Sequence, residues 1–552
     1  MRRFLQGLWR VVKPLGAVIL ALFILLLAIL IPTLGGSTGE VRNNLNGVVP
    51  SATATTGPIP GDQQLFPQET ACVQKYAADP VNNYVGYFPA IGAPEHTDNV
   101  RSGVQPCGHF TGSLTGANEV FRYQSETTYP GGIGLVVFDG PNAGYLWAGG
   151  IVPGTTEYVS KFDPSTGKEI WRTYVQNVNI SDQWLALGSL AIIKDGTLVA
   201  ATSHQFWKLD RQTGAILASQ EQPIVGNTPA NDHNFDGMVV APDAQGTLLI
   251  KSQTRAAGCT TQTNSAMQAC LPSSGSNPNS VFVAVDPTTL KNLDSIEVDQ
   301  NVTARTIAVK HNGKIYLYGN GANSLVRVIW DPVAQKLTQD KSWEPKVILK
   351  GQSGGASPVV IGNWVIANSN ANPSTETPQC LFAVNQDNPN DVHQVCPWGE
   401  SFPVESGATT SESPAAPGVD VDNNLIFAQD YLAKGVYAIR IDQATGEMKV
   451  QWSRPDWWTS DYFSMVGPAD QRVLMSQNIN PDTKTSDIAT GFDYTESVLW
   501  VDEATGKTIA ESADGPSTAV GSLINVGYGG RYYTMGNDGS LFIYQVQPKS
   551  SG

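Results

Sequence analysis

Positive charge is scarce in this chain. Lys and Arg total 34 against 49 Asp and Glu, and charged residues make up only 15% of the 552. The net charge of −15 argues against a nucleic-acid partner, whose phosphates demand a basic face. Histidine and cysteine are rare too, six of each. No C-x-x-C, C-x-x-C-H or adjacent Cys-Cys occurs, so attached-haem and zinc-ribbon readings lose their basis. A P-loop and H-E-x-x-H are also missing. What remains is a Gly- and Pro-rich chain, 54 and 35 residues, with a 41% hydrophobic fraction ample for a core.

One long apolar run is present. Residues 14–34, PLGAVILALFILLLAILIPTL, are uncharged over 21 positions, and about 20 suffice to cross roughly 30 Å of hydrocarbon as a helix. Residues 1–13 hold Arg2, Arg3, Arg10 and Lys13 and no acid, so this flank belongs in the cytoplasm and the rest outside. A cleaved secretory signal is the rival reading, but the apolar run is unusually long for a signal's core. The expectation is a single-pass transmembrane helix in the cell membrane. Residues 35–65, rich in Gly, Ser, Thr, Asn and Pro, read as a flexible linker or stalk. Residues 66–117, bounded by Cys72 and Cys107, read as a small cap or extension lying against the domain that follows. All six cysteines lie beyond the anchor, and their clustering favours Cys72–Cys107, Cys259–Cys270 and Cys380–Cys396 in an oxidising compartment. Asn179 and Asn301 fit the glycosylation sequon.

The dominant pattern is Tyr158–Tyr174, YVSKFDPSTGKEIWRTY: an alternating strand, a tight turn and a returning strand. In the turn Asp163 hydrogen-bonds forward, Pro164 presets its φ, and Gly167 takes the positive φ that closes it. Relatives open their turns at Asp210, Asp286, Asp331, Asn385, Asp442 and Asp502. An eighth, near Tyr544, lacks a returning strand. Most spacings lie between 42 and 60 residues, the period of a four-stranded propeller blade. The fold class is therefore all-β, an eight-bladed β-propeller over 118–547, with 548–552 as a tail. Residues 118–125 supply the strand missing from the last blade and close the ring; the alternative puts them in the cap.

The turns DPSTGKEIW, DRQTGAIL, DQATGEMKVQW and DEATGKTI resemble the repeat of the pyrroloquinoline-quinone-like propellers, which include quinoprotein alcohol dehydrogenases and propeller lipoproteins of outer-membrane assembly. The resemblance spans about residues 118–547 as repeats. It implies a quinone stacked over a Trp, a Ca2+ ion and a catalytic carboxylate in the channel. The chain departs from the dehydrogenases in lacking an adjacent-cysteine disulfide, and their calcium-ligand motifs find no match. Trp171 and Trp452 read as packing between neighbouring blades.

Propeller sites form where inner strands meet the channel. Aligned on their turns, those strands put Asp236, Arg305 and Glu412 at equivalent, channel-facing places. These three either hold a cation, an acidic ligand or a quinone, or form a buried ion network. Asp232 and His233 add polar groups just ahead of one inner strand, and His233 is the best placed of the histidines. His96, His109, His204, His311 and His393 belong to no acidic constellation legible in the sequence. Trp457 and Trp458, with Asp461 and Tyr462, make either an aromatic floor or rim, a packed loop, or a patch for a protein partner. No cofactor follows from the residues alone; pyrroloquinoline quinone and Ca2+ enter only through the resemblance. The expected function is binding: a scaffold or accessory subunit in a cell-envelope complex, with the membrane and an envelope protein as partners. The alternatives are a membrane-bound quinoprotein oxidoreductase and a metal-dependent hydrolase around Asp232, Asp236 and Glu412.

Overall fold

A computed structural model describes residues 53–54 and 57–549, except 80–82, 132–133, 150–155, 176–187, 203–204, 224, 226–232, 255–277, 303–304, 349–351, 355, 372–378, 399–414, 431–433, 484–493 and 519–521. The expected anchor, most of the linker, Asp232, Glu412, Asn179, His204 and the Cys259–Cys270 pair lie outside the described residues. Among the described residues, no helix is long and apolar enough to cross a membrane.

Eight antiparallel sheets follow one another in sequence. The first runs through Leu135–Gly140, Ala143–Ala148, Tyr158–Phe162 and Glu169–Tyr174, from channel to rim. The next six begin at inner strands Ser189–Ile192, His233–Val240, Ile307–His311, Val359–Ile361, Gly418–Asp420 and Ser464–Val466. The eighth takes Asn525–Val526, Arg531–Met535 and Ser540–Pro548 from the C-terminus and its outer strand, Asn118–Thr128, from the N-terminal side. Glu119 faces Gln547 and Val120 faces Val546 across this seam. The early strand closes the ring, as the unpaired last repeat requires.

The repeated turn explains how the blades lock together. Asp163 Oδ1 accepts from the Ser165 backbone N–H at 2.7 Å, and Gly167 N–H closes onto the Asp163 carbonyl at 2.7 Å. The turn glycine is needed twice over. Gly214 sits at φ +73°, and a Cβ there would stand 2.7 Å from the Trp171 ring of the preceding blade. Gly506 stands against Trp452 in the same way, and Trp452 Nε1 donates to the Glu503 carbonyl at 2.9 Å. Both tryptophans therefore pack between blades.

Beside this last contact, Glu503 is buried against Asp420, which Arg472 holds at 2.9 Å. Burial, the Asp420 charge and a hydrogen bond to that carboxylate raise Glu503 from its ordinary 4.5 to about 8. The folded state thus keeps a proton that the unfolded chain releases. Its stabilisation is complete below about pH 4.5, declines as pH rises, and is lost beyond about pH 8. Melting curves of Glu503→Gln against the parent from pH 5 to pH 9 are expected to diverge steadily. The variant should become the more stable one at the alkaline end, and parallel curves would contradict the assignment.

The segment expected to lie against the ring is instead seated inside it. Helix α1, Phe66–Ala78, rests on the face that carries the turns, and Cys72 is bonded to Cys107. From Tyr84 to Gly108 the chain then runs through the channel. Inner strands of a propeller leave one backbone edge unpaired, and buried N–H groups must find acceptors. Here this plug supplies them. Phe138 N–H donates to the Gly92 carbonyl, Ile192 to Ala93, Ala308 to Asn99, Val419 to Ser102 and Met465 to Gly103, at 2.8 to 3.2 Å. Val240 N–H reaches Tyr87 Oη and Asn99 Oδ1, and Ile91 N–H reaches Tyr528 Oη. The plug thereby touches seven blades. The linker also ends earlier than expected: Ile59 is buried, and Ile59 N–H donates to the Ser165 carbonyl of the first blade. The second described disulfide, Cys380–Cys396, falls as its spacing suggested.

Candidate functional site

The channel is where inner strands, plug and charge converge. Arg305, ahead of the fourth inner strand, is buried and donates from Nη1 to Glu95 Oε1 at 2.7 Å. Glu95 Oε2 accepts from the Leu190 backbone N–H at 2.8 Å, and Arg101 Nη2 stands 3.4 Å from Oε1. Burial alone would raise Glu95; the Arg305 and Arg101 guanidinium groups overcome it and bring it to about 2. Asp236, on the third inner strand, lies 2.8 Å from Lys251 Nζ, a contact whose angle misses that of a hydrogen bond, and accepts from Gln253 Nε2 at 2.7 Å. Burial pulls the Lys251 ammonium down while Asp236 pulls it up, and burial prevails. Gly237 follows at φ +69° with Arg305 so near that a Cβ would meet its Cβ at 2.6 Å.

Asp236 and Arg305 thus share the channel, as their alignment suggested, yet each is matched by a charge the sequence reading passed over. Lys251 sits on a second strand, outside an alignment made on inner strands. Glu95, His96 and Arg101 come from the plug, whose run Glu95–Arg101 is dense in polar residues for an apolar chain; that density was the available signal. His96 does belong to an acidic constellation, since Arg305 Nη1 donates to its Nδ1 at 3.2 Å and Glu95 lies 3.7 Å away. His109, His311 and His393 also lie beside Glu69, Asp387 and Asp391. His233 is buried, its Nδ1 3.1 Å from Ser252 Oγ.

The aromatic pair forms no exposed floor. Trp457 is buried edge-on to Phe463 and donates from Nε1 to the Gln477 carbonyl at 2.8 Å. Trp458 is buried beneath Lys434, whose ammonium stands 3.9 Å from the ring centre. Asp461 accepts from Ser522 N–H at 2.8 Å and Thr518 Oγ1 at 3.1 Å, tying the seventh blade to the strand that opens the eighth. Asn301 is buried with its amide donating to the Pro278 carbonyl.

A Ca2+ ion asks for six to eight oxygen ligands. The described residues do not fit it: Asp236, the carboxylate the inner-strand alignment offered, already faces a buried ammonium and an amide. Nor do they fit a quinone beside Arg305, where Glu95 occupies the guanidinium. Among the described residues, no three His, Cys, Asp or Glu side chains come together as metal ligands. The arrangement is a buried, internally matched ion network.

No protein-family model and no curated protein matches this chain. Solved structures match in architecture. A quinohemoprotein alcohol dehydrogenase from Comamonas testosteroni is 11% identical, aligning over 89% of this chain and 86% of that one with a TM-score of 0.49. BamB from Moraxella catarrhalis is 13% identical over 77% and 96%, at 0.40. A europium-containing methanol dehydrogenase is 10% identical over 74% and 92%, at 0.35. The chain resembles the pyrroloquinoline-quinone-like propellers. At these identities the likeness is one of fold and assigns no role to any residue.

Proposed function

We propose that this protein is a binding scaffold, an accessory subunit of a cell-envelope complex. Residues 14–34 tether it to the membrane with the N-terminus in the cytoplasm and the propeller on the extracytoplasmic side. The observation that carries the reading is the self-occupied channel. Glu95 takes the Arg305 guanidinium, the plug backbone takes the inner-strand edges, and the outer surface is left for a partner. The disulfides Cys72–Cys107 and Cys380–Cys396 suit an oxidising compartment and support the orientation.

The test uses the full chain extracted in mild detergent. A partner is expected to co-purify at fixed stoichiometry, and repeated isolation as a lone monomer would sink the proposal. In parallel, pyrroloquinoline quinone with Ca2+ is titrated while quinone absorbance and the melting temperature are followed. No saturable binding is expected. Saturable binding that raises the melting temperature and vanishes in Asp236→Asn would replace the scaffold by a dehydrogenase.

A further inference from the structure

The turn joining the first two strands of the fourth blade carries a different chemistry. His311 pairs with Lys314 across a two-residue hairpin, and between them Asn312 and Gly313 take φ of +48° and +78°. Positive φ at both central positions is the Asn-Gly turn that matches the twist of a hairpin. The turn is exposed, and a Cβ added at Gly313 would meet nothing within 4 Å.

An Asn followed by Gly is open to cyclisation, because the unshielded glycine nitrogen can attack the side-chain amide carbon. The chain has three such pairs, opening at Asn46, Asn312 and Asn320. Asn46 lies outside the described residues. Asn320 is locked. It is fully buried, and its Nδ2 donates to the Asn368 carbonyl at 2.7 Å and the Ala356 carbonyl at 3.2 Å. The attacking group is also taken, since Gly321 N–H donates to the Ser324 carbonyl at 3.0 Å.

At Asn312 these restraints are absent. The side chain is exposed, and Gly313 N–H meets no acceptor among the described residues. The amide nitrogen meets two side chains instead. Nδ2 donates to Asp387 Oδ1 of the fifth blade at 3.0 Å and stands 3.0 Å from His311 Nε2. His311 Nε2 is itself 2.9 Å from the same Asp387 oxygen. A proton on Nε2 therefore has the carboxylate as its partner and the amide nitrogen within reach.

We propose that Asn312 is a site of intramolecular deamidation, with His311 as proton donor to the departing nitrogen. Gly313 N bonds to Asn312 Cγ and gives its proton to solvent. The Cγ–Nδ2 bond breaks, and Nδ2 takes a proton from His311 Nε2 and leaves as ammonia. His311 recovers that proton from solvent, so nothing is oxidised or reduced. Water then opens the imide ring at either carbonyl, leaving aspartate or isoaspartate at this position. The product sets a carboxylate against Asp387 where an amide donated before. A contact between the fourth and fifth blades becomes a repulsion.

The experiment holds the full chain, folded in mild detergent, at neutral pH for weeks and maps its peptides by mass spectrometry. Conversion of Asn312 to aspartate and isoaspartate is expected while Asn320 stays intact. His311→Gln should slow the conversion several-fold. An intact Asn312, at a time when the same chain unfolded in urea has converted, would overturn the site. Equal conversion at Asn312 and Asn320 would do the same, because the fold would then not distinguish them. An unchanged rate in His311→Gln would overturn the assisted step.

Discussion

Arg305→Met is expected to lower the melting temperature by many degrees, and adding Glu95→Gln to it is expected to recover most of the loss. Both side chains are buried, 2.7 Å apart. Removing one partner of such a pair leaves an uncompensated charge in a medium that cannot solvate it, a cost of about 3–5 kcal/mol. In Arg305→Met, Glu95 would keep only the Leu190 N–H and the longer Arg101 contact. Glutamine preserves the shape and removes the charge, so the double variant should be far more stable than the sum of the single effects predicts. Simple additivity would show that the two residues are not coupled. Acid provides an independent check. Glu95 is lowered to about 2, so its contribution is present above about pH 4.5 and fades as pH falls through 2. Glu95→Gln should lose that acid-sensitive component.

The second large effect is expected at the seam. Val120 is fully buried and stands opposite Val546, also fully buried. Val120→Asp places an unpaired carboxylate where two terminal segments of the chain meet, and the cost of burying it exceeds what a single apolar contact contributes. The ring is expected to open at the eighth blade. Amide exchange would accelerate first over Asn118–Thr128 and Ser540–Pro548, at temperatures where the other blades remain protected. Uniform loss of protection around the ring would show that the seam is not its weakest joint.

The blades were legible because each is written locally. Alternating strands, an Asp-to-Gly turn and a returning strand fall within some twenty residues, as in Tyr158–Tyr174, and the unpaired last repeat pointed to Asn118–Thr128. The plug was not legible, because its logic is entirely non-local. Glu95, Asn99, Ser102 and Gly103 each answer to a different blade, and nothing near them in sequence announces those partners. Lys251 was hidden differently, as a cation in an otherwise ordinary second strand that acquires meaning only opposite Asp236. Trp457 and Trp458 left a floor or rim, a packed loop and a partner patch open, because an aromatic doublet serves all three; both side chains are buried.

Seating the plug inside the ring has a consequence for biogenesis. Residues 84–108 leave the ribosome long before the blades that surround them, and the strand that seals the ring on the N-terminal side waits for Ser540–Pro548, which emerge far later. No intermediate of synthesis can hold the finished channel, and the early segment must stay uncommitted while some four hundred residues are added. A strand pairing of such separation is reached slowly, since the loop-closure entropy must be overcome before the contact forms. A chain stalled or clipped before its final strand would hold every part of the network except the joint that encloses it, and a truncated product should be recognised and degraded as an unfolded one.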